Sequence, residues 1–384
     1  MTEIRDQRAA GRNQRVKISR RGTERLLCAL CSSVVKPISD IRVLISGLGA
    51  LLFALSLPVA AQQPAKVWRI GVLDSNSSAA APQEPITPLP LSVDLDPKRV
   101  ALGERLFNDV RLSRDNTKSC PACHPLDQGG MDGRRSATSA NDSTPARNTP
   151  TIFNVGFNAS FNWDGIAQTL EAQAEIVLLS PRLMNTTWPE LLTKARADAD
   201  YLARFNNAYP EGLKRANVLD ALATFERSLL TPNARFDRYL RGERHALTEA
   251  EQQGYGLFKS YGCVACHQGM NIGGNMYQKF GVFAEARGAE IPGAPVDLGR
   301  YAVTKAPRDR EVFRVPSLRN VAATGPYFHD GRAQTLEDAV RTMVRVQLGR
   351  TLTSEEIGLI IQFLHTLNGE YQGRPVGAPG KKIQ

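Results

Sequence analysis

Two copies of one five-residue motif constrain this chain of 384 residues more than any other feature. The motif is Cys-x-x-Cys-His, and it occurs at Cys120–His124 and again at Cys263–His267. In each copy two thiols one turn apart can add across the vinyl groups of a haem, and the histidine can become an axial ligand of its iron. The chain is therefore predicted to carry two covalent haem c groups. The predicted attachment and ligand residues are Cys120, Cys123, His124, Cys263, Cys266 and His267.

Zinc sites and thioredoxin-like redox centres also use Cys-x-x-Cys pairs. A zinc site needs a second pair of ligands nearby, and neither motif has another cysteine or histidine within about fifteen residues. A redox dithiol has no need of the histidine that follows. Covalent haem explains every defined position in both copies, and the other two sites are retained as alternatives.

The N-terminal region indicates export. Residues 43–61 form an uncharged apolar run behind a basic segment, and Val59 and Ala61 match the small-residue rule for cleavage before Gln62. Cytochromes c receive haem after export, so residues 1–61 are predicted to be a basic leader with a signal peptide, and the mature protein to be periplasmic. The alternative is that the run remains as an N-terminal membrane anchor.

The net charge of +10 does not indicate a nucleic-acid-binding protein. Most of the excess of lysine and arginine lies in residues 1–42, and the rest of the chain is only slightly basic before the haem propionates are added. Cys28 and Cys31 lie in the leader and lack a following histidine. Because the other four cysteines are assigned to haem, no disulfide is predicted in the mature protein.

Helical patterns predominate after the leader. Residues 62–94 are rich in Pro, Ser, Ala and Gln and are predicted to form a flexible N-terminal arm. Asp96-Pro97 predicts the start of the first helix, and capping boxes at Thr248–Glu251 and Thr353–Glu356 predict two more. The predicted fold is all-α, with two cytochrome c-type haem domains at 95–240 and 241–384 and long loops at their interface.

Further motifs accompany the two haem-binding sequences. They are LFNDVRLSR at 106–114, RNTPT at 147–151, WDG at 163–165, VPSLRN at 315–320 and PYFHDG at 326–331. On these motifs, roughly residues 102–370 resemble the bacterial dihaem cytochrome c peroxidases, a family that includes the MauG dihaem oxidases. The resemblance implies an N-terminal haem that reacts with peroxide and a C-terminal haem that accepts electrons.

The resemblance also implies roles for individual residues. Met343 corresponds to the second axial ligand of the C-terminal haem, where a thioether favours ferrous iron. Trp163 corresponds to an electron relay between the haems, with an ordinary buried aromatic as the alternative. A methionine on an apolar helix face is by itself usually a core residue, and it is the spacing from His329 in the family motif that favours ligation by Met343. His329 is expected near a haem edge or propionate. A calcium ion is implied with oxygen ligands from three further residues, Asn148, Thr324 and Pro326.

The chain departs from the family at the peroxide-reacting haem. Leu183 stands where the peroxidases have a catalytic glutamate, and Ala140 stands where many members have a histidine that caps the iron. The sixth position of this iron is therefore expected to be open or water-bound, and the usual acid–base catalyst is missing. Candidate replacements are two methionines for the ligand and three carboxylates for the catalyst, namely Met131 and Met184, and Asp142, Glu171 and Glu175.

The function implied by the resemblance is periplasmic reduction of hydrogen peroxide with electrons from a small cytochrome c or cupredoxin, and a homodimer is a further expectation. A MauG-like oxidase acting on a protein or organic substrate is one alternative, which Met343 argues against because that enzyme has tyrosine there. A non-catalytic dihaem protein for electron transfer or ligand sensing is the other, and Leu183 and Ala140 favour it.

Overall fold

The computed structural model describes residues 84–136, 147–285 and 296–377. The predicted leader, the first part of the predicted arm, Ala140 and Asp142 lie outside these residues. Within them the chain is largely helical, as expected, and all belong to one compact unit. No helix in these ranges is both long enough and apolar enough to cross a bilayer.

The helices and strands of the described residues are as follows in chain order. The α-helices are α1 Pro97–Phe107, α2 Leu170–Leu179, α3 Trp188–Arg196, α4 Ala199–Ala208, α5 Arg215–Ser228, α6 Arg235–Leu240, α7 Glu249–Ser260, α8 Tyr301–Thr304, α9 Leu336–Leu348 and α10 Ser354–His365. The strands are β1 Tyr277–Lys279, β2 Val312–Arg314, β3 Glu370–Tyr371 and β4 Arg374–Pro375. β1 pairs antiparallel with β2, and β3 pairs antiparallel with β4.

α1 and α5 form the framework of the N-terminal half. The Asp96 carboxylate caps α1 by accepting a hydrogen bond from the Lys98 backbone N–H (2.8 Å), and Pro97 occupies the first turn, so the predicted start is confirmed. The two helices meet at Gly103, where a Cβ would lie 2.0 Å from the Ala221 carbonyl oxygen. A larger residue at position 103 would force the helices apart.

α7 and α10 repeat this arrangement in the C-terminal half. Both begin with the predicted capping boxes, at Thr248–Glu251 and at Thr353–Glu356. They meet at Gly254, where a Cβ would lie 2.0 Å from the Leu359 carbonyl oxygen. In each half, the helix that carries the close-packed glycine precedes a Cys-x-x-Cys-His motif. The two halves therefore use the same local framework around their motifs.

Each half has its own hydrophobic core. The largest fully buried aromatic residues are Phe107, Phe153, Tyr201 and Phe205 in the N-terminal core, and Phe236 and Phe363 in the C-terminal core. Phe236 comes from α6, and its ring lies 5.0 Å from that of Phe363. α6 therefore packs with the C-terminal core, whereas the predicted boundary assigns it to residues 95–240. The division into two haem domains remains a prediction.

The two ends of the described chain each pack on the opposite half. Ile86 and Leu89 are both 1% exposed, and Ile86 belongs to the C-terminal core. At the other end, Val376 belongs to the N-terminal core, and the Tyr371 ring lies 5.0 Å from that of Phe153. The burial of Ile86 and Leu89 corrects the prediction of a flexible arm for the part of the chain around these two residues. Composition could not reveal it, because the surface that covers these apolar side chains is distant in sequence.

Candidate haem centres and the segment beside them

Both Cys-x-x-Cys-His motifs fold as one tight turn that directs the histidine. The backbone N–H of the histidine donates to the carbonyl of the first cysteine, at 2.9 Å in His124 and 3.0 Å in His267. Nδ1 of His124 lies 3.0 Å from the Gly130 carbonyl oxygen, and Nδ1 of His267 lies 3.3 Å from that of Ile272. With Nδ1 bonded to the backbone, Nε2 is available for a metal, as in most protein sites with histidine ligands.

Burial keeps both imidazoles in the form that binds iron. It lowers the pKa of His267 to about 4 and lowers the pKa of His124 as well, so both rings are neutral at ordinary pH. Burial also raises the pKa of Cys120 to about 12 and that of Cys263 to about 11. A neutral imidazole next to two half-buried thiols is the set of groups that covalent haem attachment requires.

The second motif opens into a cavity of about 360 Å³. Cys263, Cys266 and His267 line it, and Met343 reaches it from α9. Much of the remaining wall is apolar and includes Phe258, Phe280, Phe313, Val340, Val344 and Leu364. Two thiols, an imidazole and a thioether in one apolar cavity fit a haem with histidine and methionine ligands. The structure thus brings Met343 to the cavity of His267, although its ligation of iron remains a prediction.

The two methionines predicted as replacement ligands at the first haem, Met131 and Met184, are both buried. Met184 is buried in the N-terminal core, and the Sδ of buried Met131 accepts a hydrogen bond from the Gly133 N–H (3.2 Å). Both thioethers are therefore packed in place. Leu183 lies beside Met184 in the loop after α2 and is half-buried.

The two described carboxylates proposed as substitutes are held in ion pairs. Glu171 accepts from Arg227 at 2.7 Å, and Glu175 accepts from Arg215 at 2.6 Å. The Arg215 guanidinium also lowers the pKa of Glu175, which opposes proton transfer near neutral pH. Neither pairing suits a group that must donate a proton to peroxide.

Glu226 is a buried carboxyl that the sequence analysis did not identify. Burial raises its pKa to about 8, and its charge contributes to the raised pKa of Cys120. It lies on α5 among apolar residues, within a helical pattern that predicts only core positions. The sequence did contain a sign of this site, because Glu226 is an acidic residue within the apolar face of the predicted helix.

Trp163 is fixed at both its ring and its backbone. Its side chain is 8% exposed, and its Nε1–H donates to the Asn148 carbonyl oxygen at 2.9 Å. The Trp163 carbonyl accepts from the Arg314 N–H (2.8 Å), and the indole lines the cavity described above. A rigid indole beside this cavity is suited to an electron relay, which remains a prediction.

His329 lines the same cavity, next to the indole. It is 7% exposed, stacks on Phe313 with ring centroids 3.9 Å apart, and meets the Trp163 ring edge-on at 6.3 Å. Burial lowers the pKa of His329 to about 4, so the ring is neutral. His329 was predicted to lie near a haem edge or propionate, and its position in the wall of this cavity is compatible with that prediction.

The three residues predicted to bind calcium also line this cavity: Asn148, Thr324 and Pro326. Asn148 is 5% exposed, and its Nδ2 donates to the Arg134 carbonyl oxygen at 2.9 Å. The described residues contain no cluster of three or more His, Cys, Asp or Glu side chains able to hold a metal. An amide and backbone carbonyls would not form such a cluster, so the calcium site remains a prediction.

An ion network missed by the sequence analysis lies beside Trp163. Arg147 Nη1 lies 2.6 Å from Asp164 Oδ2, and its Nε lies 2.7 Å from Asp297 Oδ2. Arg147 and Asp164 fall in motifs that were recognised, but Asp297 is far away in sequence and lies in none of them. Only the folded chain shows that these three charges meet.

Comparisons with known proteins agree with these two centres. A family model described as di-haem cytochrome c peroxidase matches residues 97–245. The cytochrome c peroxidase Ccp of Escherichia coli is 42% identical over 299 residues, which cover 77% of this chain and 64% of that protein. The cytochrome c551 peroxidase of Nitrosomonas europaea is 39% identical over 303 residues, which cover 78% of this chain and 89% of that protein.

A crystal structure of a MauG-like protein associated with microbial copper homeostasis is also similar. It has 29% sequence identity and a TM-score of 0.62, and the match covers 77% of this chain and 96% of that one. The chain described here belongs to the di-haem cytochrome c peroxidase family. Membership implies two haem c groups, in agreement with the two motifs.

Proposed function

We propose that this protein is a periplasmic dihaem peroxidase that reduces hydrogen peroxide with electrons from a small cytochrome c or cupredoxin. The observation that carries the proposal is the single cavity lined by Cys263, Cys266, His267 and Met343, with Trp163 in its wall. A thioether and an imidazole that together hold a haem would suit a centre that accepts electrons, because a thioether ligand favours ferrous iron. The relatives named cytochrome c peroxidases support the same reaction.

In this proposal the residues of the chain divide the reaction between two centres. When bound, each haem supplies an iron that changes oxidation state. His267 and Met343 would hold the haem that accepts electrons from the donor, and Trp163 would relay them. His124 would hold the haem at which hydrogen peroxide, with two electrons and two protons, is reduced to two water molecules. The carbonyls of Gly130 and Ile272 orient the two imidazoles. The expectation of an open or water-bound sixth position at the His124 haem, which rests on Leu183 and Ala140, is part of this proposal.

Calcium has a supporting part in the same proposal. Asn148 would offer its side-chain oxygen to the ion, with Thr324 and Pro326 offering backbone carbonyls. The Asn148 carbonyl is already the acceptor for the Trp163 indole N–H. A calcium ion held by Asn148 would therefore also hold the relay in place.

The test is steady-state consumption of peroxide by the haem-loaded protein with reduced small cytochrome c as donor. Trp163→Phe is expected to slow electron transfer between the haems more than tenfold while leaving reduction by the donor unchanged. Trp188→Phe is the matched control, since Trp188 also loses an indole hydrogen bond, to Glu175 at 2.7 Å, but does not line the cavity. Turnover by the unmodified protein no faster than that of free haem would refute the proposal.

Leu183 favours a second candidate, a non-catalytic dihaem protein that transfers electrons or senses a small ligand. The usual glutamate is missing, and the two described carboxylates predicted to replace it, Glu171 and Glu175, are held in ion pairs that oppose donation of a proton to peroxide. This candidate predicts that both haems titrate and that one binds carbon monoxide or nitric oxide, with no acceleration of peroxide reduction. The position of Met343 in the cavity of His267 argues against a MauG-like oxidase, which has tyrosine there.

A further inference from the structure

Arg314 is a buried cation that forms no ion pair with the described residues. It is 4% exposed, its Nε donates to the Asn162 carbonyl oxygen at 3.2 Å, and its backbone N–H donates to the Trp163 carbonyl oxygen at 2.8 Å. Burial lowers the pKa of Arg314 to about 10. The guanidinium is therefore still charged at neutral pH.

Arg319 is a second buried arginine nearby in the sequence, and unlike Arg314 it has a carboxylate partner. Arg319 is 1% exposed, and its Nη1 lies 2.7 Å from Oδ1 of Asp237, which is itself fully buried. A buried charge without a counter-charge is strongly destabilising, and one carbonyl acceptor does not compensate it. Arg314 therefore requires an anion that the described chain does not provide.

The position of Arg314 indicates where that anion lies. Its side chain lines the cavity that also contains His267 and Met343. The residues on either side of it in sequence, Phe313 and Val315, are apolar and line the same cavity. An anionic group on the occupant of the cavity would meet this requirement, and a haem carries two propionate carboxylates that need cationic partners as much as Arg314 needs an anionic one.

We propose that the Arg314 guanidinium binds a propionate of the C-terminal haem and holds that edge of the haem against the Asn162–Trp163 segment. This inference rests on the C-terminal haem site of the proposed function, but not on peroxide reduction. Arginine suits the task because its planar fork can donate two parallel hydrogen bonds to one carboxylate. Since the same residue bonds to the backbone of Trp163, it positions the haem edge relative to the indole.

The contact has a consequence for the reduction potential of this haem. A positive charge beside the propionate opposes the additional positive charge of ferric iron, and so favours the ferrous form. Removal of the guanidinium leaves the propionate uncompensated and shifts the equilibrium toward ferric iron. The effect should be confined to the C-terminal haem, because Arg314 lines the cavity of that haem.

The experiment is a spectroscopic redox titration of both haems in the haem-loaded protein and three variants. Arg314→Met is expected to favour ferric iron at the C-terminal haem by about tenfold, which lowers its potential by about 59 mV for one electron. Arg314→Lys keeps the charge and should shift the equilibrium less than threefold. Arg300→Met is the matched control, since Arg300 stacks at 3.9 Å on the Tyr277 ring and donates to the Asp164 carbonyl oxygen at 3.2 Å but does not line the cavity.

Two further measurements test the inference even if Arg314→Met does not retain its haem. Resonance Raman bands of the propionate should shift between the unmodified protein and Arg314→Lys, because the hydrogen-bond donor has changed. Replacement of chloride by acetate at constant ionic strength should leave the potential unchanged, whereas a dependence on the solute would identify an exchangeable anion instead. Unshifted propionate bands, or an unshifted potential in a fully loaded Arg314→Met, would overturn the inference while leaving the peroxidase proposal intact.

Discussion

The buried Arg319–Asp237 ion pair leads to a stability prediction that the structure makes quantitative. The two side chains are 1% and 0% exposed, with Nη1 2.7 Å from Oδ1. Arg319 also donates to the carbonyl oxygens of Met270, at 3.0 Å, and Thr87, at 3.1 Å. One guanidinium therefore joins the segment 84–94, α6 and the loop that follows the second haem motif.

Asp237→Ala removes the counter-charge and leaves that guanidinium buried. Breaking a buried pair in this way costs about 3–5 kcal/mol. The hydrogen bond from the Leu89 N–H to Asp237 Oδ1 (3.3 Å) is lost as well. Against the 5–15 kcal/mol typical of a folded domain, a loss of about 4 kcal/mol is severe. Adding Arg319→Met removes the unpaired charge, and the double variant is expected to recover about half of the loss.

The assay is urea unfolding of the haem-loaded protein, followed by far-ultraviolet circular dichroism. Glu243→Ala is the control, because its partner Arg238 lies on the same helix as Asp237 but the pair is 46% and 45% exposed. An exposed pair contributes about 0–1 kcal/mol. The reasoning would be refuted if Asp237→Ala cost no more than the control, or if the double variant lost the sum of the two single losses.

Three other predictions concern the haem centres. Met343→Ala should open a second haem to carbon monoxide, where the unmodified protein binds it at one; uptake at a single haem would show that Met343 is not a ligand. Leu183→Glu should accelerate peroxide reduction by about 10²–10⁴-fold while Leu183→Gln does not, because only the acid can transfer a proton. Equal rates in Leu183→Glu and the unmodified protein would show that another group already transfers the proton. Burial raises the pKa of Glu226 from 4.5 to about 8, so the folded state keeps a proton that the unfolded chain loses, and stability should fall as pH rises through this interval. Glu226→Gln should flatten that fall in urea unfolding compared at about pH 5 and pH 8, and parallel curves would contradict it.

The helix starts were predictable because each depends on a few neighbouring residues. Asp96 with Pro97, Thr248–Glu251 and Thr353–Glu356 satisfy the first backbone N–H groups of their helices from within one turn. The same local character made the Cys-x-x-Cys-His turns predictable. Flexibility was predicted incorrectly for residues 86–89, because their contacts involve partners in α6 and in the loop before α9, which no local pattern reveals.

The sequence by itself determined the chemistry that needs only neighbours, since two thiols and an imidazole within five residues can attach and ligate a haem wherever that turn is placed. Family motifs added Met343 and Trp163 as expectations. Only the tertiary structure decided that His267, Met343, Trp163 and Arg314 share one cavity, and that Arg319 has a carboxylate partner while Arg314 has none among the described residues. The physical reason is that charge compensation and enclosure depend on residues brought together from distant parts of the chain, and burial makes their presence or absence energetically decisive.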